Sequence, residues 1–195
     1  TTAPNAARRG TYLTLLGDLL VKDLTTVTDA WDPATGPYRV TFLADPDTAV
    51  GHILRGMGAL SSGELAGERI AVAYDSKDQE DEHSCFSDTT TVDLAANARG
   101  IQMAYLADYP SITGTSLHDV MAKAAPALDR ALVKRLRETT AMAAALTAPF
   151  DQLVLGDDSA PGRVALEALV TALQDQGDQI AALGKAAGHT ISLAA

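Results

Sequence analysis

Little in this 195-residue chain points at once to a chemistry. It has one cysteine, Cys85, which excludes an internal disulfide and a thiolate metal cluster. Aromatic residues make up 5% of it, with a single tryptophan, and runs rich in β-branched and aromatic residues are few, which argues against a sheet. No apolar run approaches the roughly 18 to 20 residues of a membrane-spanning helix, so no transmembrane segment is expected. Fifteen basic residues face twenty-five acidic ones, for a net charge of −10. A surface of that sign repels phosphate backbones and anionic membranes, so nucleic acid is not an expected partner. No His-Glu-x-x-His occurs among His52, His83, His118 and His189, and there is no Gly-x-Ser-x-Gly, which removes the commonest zinc-peptidase and serine-hydrolase signatures.

What is present is helical periodicity. Hydrophobic residues make up 47% of the chain, much of it alanine and leucine. Tyr12, Leu15, Leu16, Leu19, Leu20, Leu24 and Val27 recur at helical spacing and predict a long helix over about 6–31. Prolines and Gly36 predict a loop over 32–45 around a brief segment, Tyr38 to Leu43, too short to assign as a strand. Asp45-Pro46 reads as an N-cap followed by proline at the first helical position. Ser61-Ser62-Gly63-Glu64 reads either as a capping box or as a soft point in one long helix, with continuation or a kink preferred. Ser87-Asp88 reads as the cap of a helix reaching Leu106. Further helices are expected from Ser116, from Pro126 to before Pro149, and from Pro161 to a stop at Gly188. The expected fold is all-α: an antiparallel up-and-down bundle of four to five long helices, forming a single domain over 1–195. The opening Thr1-Thr2-Ala3-Pro4-Asn5 lacks a charged and then apolar leader and reads as the middle of a longer polypeptide.

The stretch from Gly63 to Thr90 is too polar for an ordinary core helix. If it is helical, Glu64, Glu68, Asp75, Gln79 and Glu82 share one face, and Arg69, Ser76, Glu80 and His83 the adjacent stripe. A charged helix face is most often simply solvated. Here, however, four acids fall among the five residues from Asp78 to Glu82 with no base, and like charges so close call for a cation, an arginine or a shared proton. Glu80 and His83 form the Glu-x-x-His spacing by which a helix ligates iron or manganese, but no second such pair is present to complete a di-iron bundle. Cys85 reads as a buried small hydrophobe or as half of a bridge to another segment, and Trp31 and Phe86 as core anchors.

The runs Glu64-Leu65-Ala66-Gly67-Glu68-Arg69 and Asp78-Gln79-Glu80-Asp81-Glu82-His83-Ser84-Cys85-Phe86-Ser87-Asp88 resemble the C-terminal signature of imelysin-like proteins. Tyr105-Leu106, Tyr109, Gly114-Thr115-Ser116-Leu117, Pro126-Ala127-Leu128-Asp129 and Pro149-Phe150-Asp151 follow in the same order, so the resemblance covers nearly the whole chain. It implies one half of a two-bundle fold in periplasmic or outer-membrane-associated bacterial proteins. These are often iron-regulated and historically known as insulin-cleaving metallopeptidases. It further implies an N-terminal half, as a separate chain or another segment, whose Gly-x-His-x-x-Glu motif faces the acidic helix across a cleft. That motif does not occur here, and Thr89-Thr90-Thr91 replaces the family's Asn-Thr-His run.

The expectation is therefore a metal-acquisition protein that holds iron, another divalent metal or an iron-bearing ligand in a cleft shared with the N-terminal half. Glu64, Glu68, Asp75, Glu82 and His83 are the candidate metal-facing residues, with Arg69, Gln79, Glu80, Ser87 and Asp88 supporting the cleft. No catalytic residue is assigned. The alternatives are a metallopeptidase and a non-catalytic interaction bundle.

Overall fold

A computed structural model describes residues 4–111 and 113–193, and every regular element among them is helical. The first three residues of the opening stretch lie outside the described residues. The chain divides into two compact units, Thr1–Ala49 and Val50–Ala195.

In the first unit, α1 spans Ala6–Ala30, as the leucine periodicity predicts, and none of its residues is buried. The loop expected over 32–45 contains a helix instead, α2 (Pro37–Ala44). Proline at its first position is already set to a helical φ and loses no hydrogen bond there. Tyr38 and Phe42 stand one turn apart and both meet Trp31 edge-on, at ring-centre distances of 5.0 and 5.1 Å. Trp31 is thus an anchor, though of a half-exposed aromatic cluster rather than of a closed core. Asp45 caps α3 (Pro46–Ala59) as expected, accepting from the Thr48 backbone N–H at 3.1 Å.

In the second unit the chain runs from α3 without a break into a π-helical segment, Leu60–Ala71, and then α4 (Val72–Ser76). The Ser61–Glu64 stretch is therefore a continuation, in π form. After it come α5 (Thr90–Leu106), α6 (Leu117–Ala124), α7 (Pro126–Ala144), α8 (Phe150–Leu153) and α9 (Pro161–Ala186). The π segment packs on α9 and α5, α5 on α7, and α7 on α9, which closes a four-membered helical bundle. Leu65, Ile70, Leu94, Leu132, Leu136 and Leu173 lie in its core, essentially removed from solvent. Each such side chain gains roughly 1.5–3 kcal/mol on burial, against the entropy of ordering it.

One polar network crosses this core. The Ser61 hydroxyl donates to the Leu173 carbonyl at 2.8 Å, the Gln176 amide donates to Ser61 Oγ at 2.9 Å, and the Thr139 hydroxyl donates to Gln176 Oε1 at 2.5 Å. The π segment, α7 and α9 are thereby held in one register. Gly177 allows the approach: a Cβ there would lie 2.8 Å from the Ser62 Cβ. Arg163, also buried, donates to the carbonyls of Tyr74 and Val154 at 2.8 and 3.0 Å, with its guanidinium 3.8 Å from the centre of the Tyr74 ring. The expected stop holds at the end of α9, where Gly188 takes φ +90°.

Candidate functional site

The acidic stretch does not remain helical to Glu82. Helix α4 ends at Ser76, and Lys77 enters the left-handed region at φ 58°. Consecutive acids without bases destabilise a helix, and here Asp78 turns its carboxylate onto the Glu80 N–H at 2.9 Å, capping a short 3₁₀ turn, Gln79–Asp81. Upstream, the i→i+5 bonding of the π segment widens the turn beyond 3.6 residues and shifts Glu64, Glu68 and Arg69 off the α-helical spacing. The single face expected for Glu64, Glu68, Asp75, Gln79 and Glu82 is therefore not formed, and Glu80 and His83 are not a helical Glu-x-x-His pair.

The candidates fall in different surroundings. Glu64 and Arg69 form an ion pair at 3.0 Å, and Arg69 also donates to Asn97 Oδ1 on α5 at 3.0 Å. Glu68, Asp75, Gln79, Glu80 and His83 are exposed. Ser87 and Asp88 are exposed as well and do not cap α5; Asp88 is left-handed at φ 54°, and the helix begins two residues later. Phe86, expected in the core, is 94% exposed. Cys85 is half-buried and free.

Glu82 is the exception. It is only 5% exposed, and Oε2 accepts from the Thr90 hydroxyl at 3.0 Å, while Oε1 is buried without a partner. Burial raises its pKa above the ordinary glutamate value, the Thr90 bond works the other way, and the nearby charges of Asp151 and Asp88 raise it further. A buried carboxylate with an unmatched oxygen and acidic neighbours is costly, and a proton or an incoming cation relieves that cost. Thr90, which falls at the threonine of the family run, thus supplies the one hydrogen bond that the Glu82 side chain accepts among the described residues.

The loop after Glu82 is bound to the start of α5. The Ser84 N–H donates to Thr90 Oγ1 at 3.2 Å and its hydroxyl to Asp93 Oδ2 at 2.5 Å. Thr89 donates to the same oxygen at 3.1 Å, and Ser87 and Thr89 share a bond of 2.8 Å. Asp93 and Thr90 were absent from the expected set, although a threonine run followed by an aspartate one turn later is the pattern of such a network. Asp151 was also missed as a neighbour of Glu82, because nothing local in Pro149-Phe150-Asp151 shows which loop it approaches.

A second polar cluster was not foreseen. Asp129, buried at the start of α7, accepts from the Tyr105 hydroxyl at 2.8 Å and pairs with His118 Nδ1 at 2.8 Å. Burial, together with the Asp129 carboxylate, pushes the Tyr105 pKa well above its ordinary value and keeps the hydroxyl protonated. The cluster joins α5, α6 and α7, with His118 tied to a side-chain carboxylate.

Among the described residues no group of three or more His, Cys, Asp or Glu side chains is placed to hold a metal ion. The donors present fit an ion only in part, Glu82 being the buried one with a free oxygen, so no chemical step through a metal follows from them. No helix among the described residues is long and apolar enough to cross a membrane. A family model described as imelysin, peptidase M75, matches residues 1–180. No curated protein matches the chain.

Proposed function

The chain belongs to the imelysin family, and from that premise we propose that it serves in metal acquisition outside the cytoplasm. Its cargo is iron, another divalent metal or an iron-bearing ligand, and the acidic stretch from Glu64 to Asp88 forms one wall of the receiving cleft. The observation that carries this reading is the unpartnered, buried oxygen of Glu82 beside Asp88 and Asp151. Glu64, Glu68, Asp75 and His83 are further donors along the same stretch, and Arg69 orients Glu64. Gln79, Glu80, Ser87 and Asp88 shape the turn that carries Glu82. The remaining donors come from an N-terminal half of the family type, as a separate chain or another segment of the same protein.

A metallopeptidase needs three protein ligands, an open coordination position and a base, and no arrangement of the described residues favours it over binding. The scattering of the acidic candidates favours a different second reading, a non-catalytic interaction bundle. Intact-mass spectrometry with elemental analysis of the same folded material separates the two. Iron or another transition metal in fixed ratio, lost when Glu68, Glu82 and His83 are replaced together, supports the binding reading. Metal retained in unchanged ratio by that triple variant, or no metal in the unaltered protein, contradicts it.

A further inference from the structure

Phe86 is 94% exposed at the middle of a loop that the hydrogen bonds of Ser84, Ser87 and Thr89 hold in place. An aromatic ring held out by a fixed loop is already ordered for binding, so docking it loses little conformational entropy. Asp78, Glu80, Asp81 and Asp88 are exposed around it in sequence, and none takes part in the ion pairs found among the described residues. Lys77, the one lysine or arginine in the stretch from 77 to 88, donates to the Gly156 carbonyl at 2.6 Å. Within the same loop Glu82, 5% exposed, adds a carboxylate oxygen without a partner. An exposed aromatic ring in a short loop whose exposed acids have no ion-pair partner among the described residues matches a surface that is apolar at its centre and cationic at its edges.

We propose that the loop 77–89 docks a basic amphipathic helix of a partner polypeptide, with Phe86 against the helix's apolar stripe and its flanking lysines and arginines against Asp78, Glu80, Asp81 and Asp88. A helix with leucines on one face and bases beside them presents that arrangement, since long basic side chains border an apolar stripe while keeping their charges in water. Phe86 supplies the affinity at the centre, and the acids supply steering and salt dependence at the rim. The inference rests on the reading that this loop lines the family's cleft, and it names the chemistry of the surface that closes over it.

The probe is a synthetic amphipathic helix of leucine, lysine and arginine, with a leucine and glutamate counterpart as control. Both are titrated calorimetrically into the full chain in the presence of a chelator, so that a failure of metal binding cannot imitate a failure of docking. Saturable binding of the basic helix alone, weakened about tenfold or more by Phe86→Ala and several-fold by Asp81→Lys, is the expected result. Circular dichroism of Phe86→Ala is expected to match the unaltered chain. Equal affinity of Phe86→Ala and the unaltered chain overturns the proposal, as does equal binding of the acidic helix. Self-association in sedimentation that Phe86→Ala abolishes also overturns it, in favour of a second copy as occupant.

Discussion

The π-helical segment Leu60–Ala71 and the loop 77–89 are near neighbours in sequence and belong to one family signature, yet they obey different physics. The first buries Ser61, Leu65, Ala66 and Ile70 and satisfies its buried hydroxyl through Gln176 and the Leu173 carbonyl. The second exposes its phenylalanine and most of its acids, and its one buried side chain, Glu82, is left with an unmatched oxygen. A contiguous signature thus meets two environments: its first part packs into the bundle, and its second part holds exposed acids and an unmatched carboxylate oxygen that the bundle does not use. A stretch that satisfies its polar groups serves the fold. One that leaves a costly group unsatisfied points to something outside the chain.

The sharpest way to break the contrast is in the core. Leu173→Ala should cost about 2–5 kcal/mol in chemical denaturation, as removal of a fully buried leucine does where neighbours cannot collapse into the space. A cost below about 1 kcal/mol would mean that the π segment and α9 are not packed as described. Gln176→Ala should cost about 1–3 kcal/mol, because it removes the amide that joins Ser61 to Thr139 across the core and leaves each hydroxyl only its backbone carbonyl partners. If the combined variant with Ser61→Ala and Thr139→Val were no less destabilised than the sum of its parts, the network would not be acting as a unit. Tyr105→Phe should cost about 0.5–1.5 kcal/mol by removing one donor to Asp129 while His118 remains. At the other end of the contrast, Phe86→Ala should change stability by no more than about 0.5 kcal/mol, since the ring is 94% exposed. A larger loss would place Phe86 in the fold after all.

Helix positions were legible where apolar periodicity and capping chemistry agreed. Asp45-Pro46 and Ser116 with Asp119 open helices as read, the latter with a complete capping box. Two elements were not legible, for physical reasons. Pro37–Ala44 is too short for periodicity, and its aromatic contacts with Trp31 are tertiary. The π form of Leu60–Ala71 goes with tertiary contacts, Ser62 against Gly177 and Ser61 bonded to Leu173 and Gln176, and a 3.6-residue spacing laid on that stretch misplaced the acidic face. Of the candidate site, Glu82 stood out only as one acid among several. Its distinction lies in burial against Thr90 and in the approach of Asp151 from α8, distant in sequence, and spacing in the sequence encodes neither. Phe86 misled for the opposite reason, since a lone aromatic in a polar run is ordinarily a core residue.

Thermal denaturation of Glu82→Gln beside the unaltered chain, from about pH 4 to pH 8, tests most directly whether Glu82 is retained for something other than the fold. Because its pKa is raised in the folded state, that state binds the proton more tightly than the unfolded chain does. The unaltered protein should therefore lose stability as pH rises from the ordinary glutamate value through the raised one, with the full loss above it. Glutamine keeps an acceptor for Thr90 and removes the buried charge. The expected result is a variant at least as stable as the unaltered chain at pH 7, with a flatter dependence on pH. A variant clearly less stable at pH 7, with the pH dependence unchanged, would contradict the claim and make Glu82 a structural carboxylate.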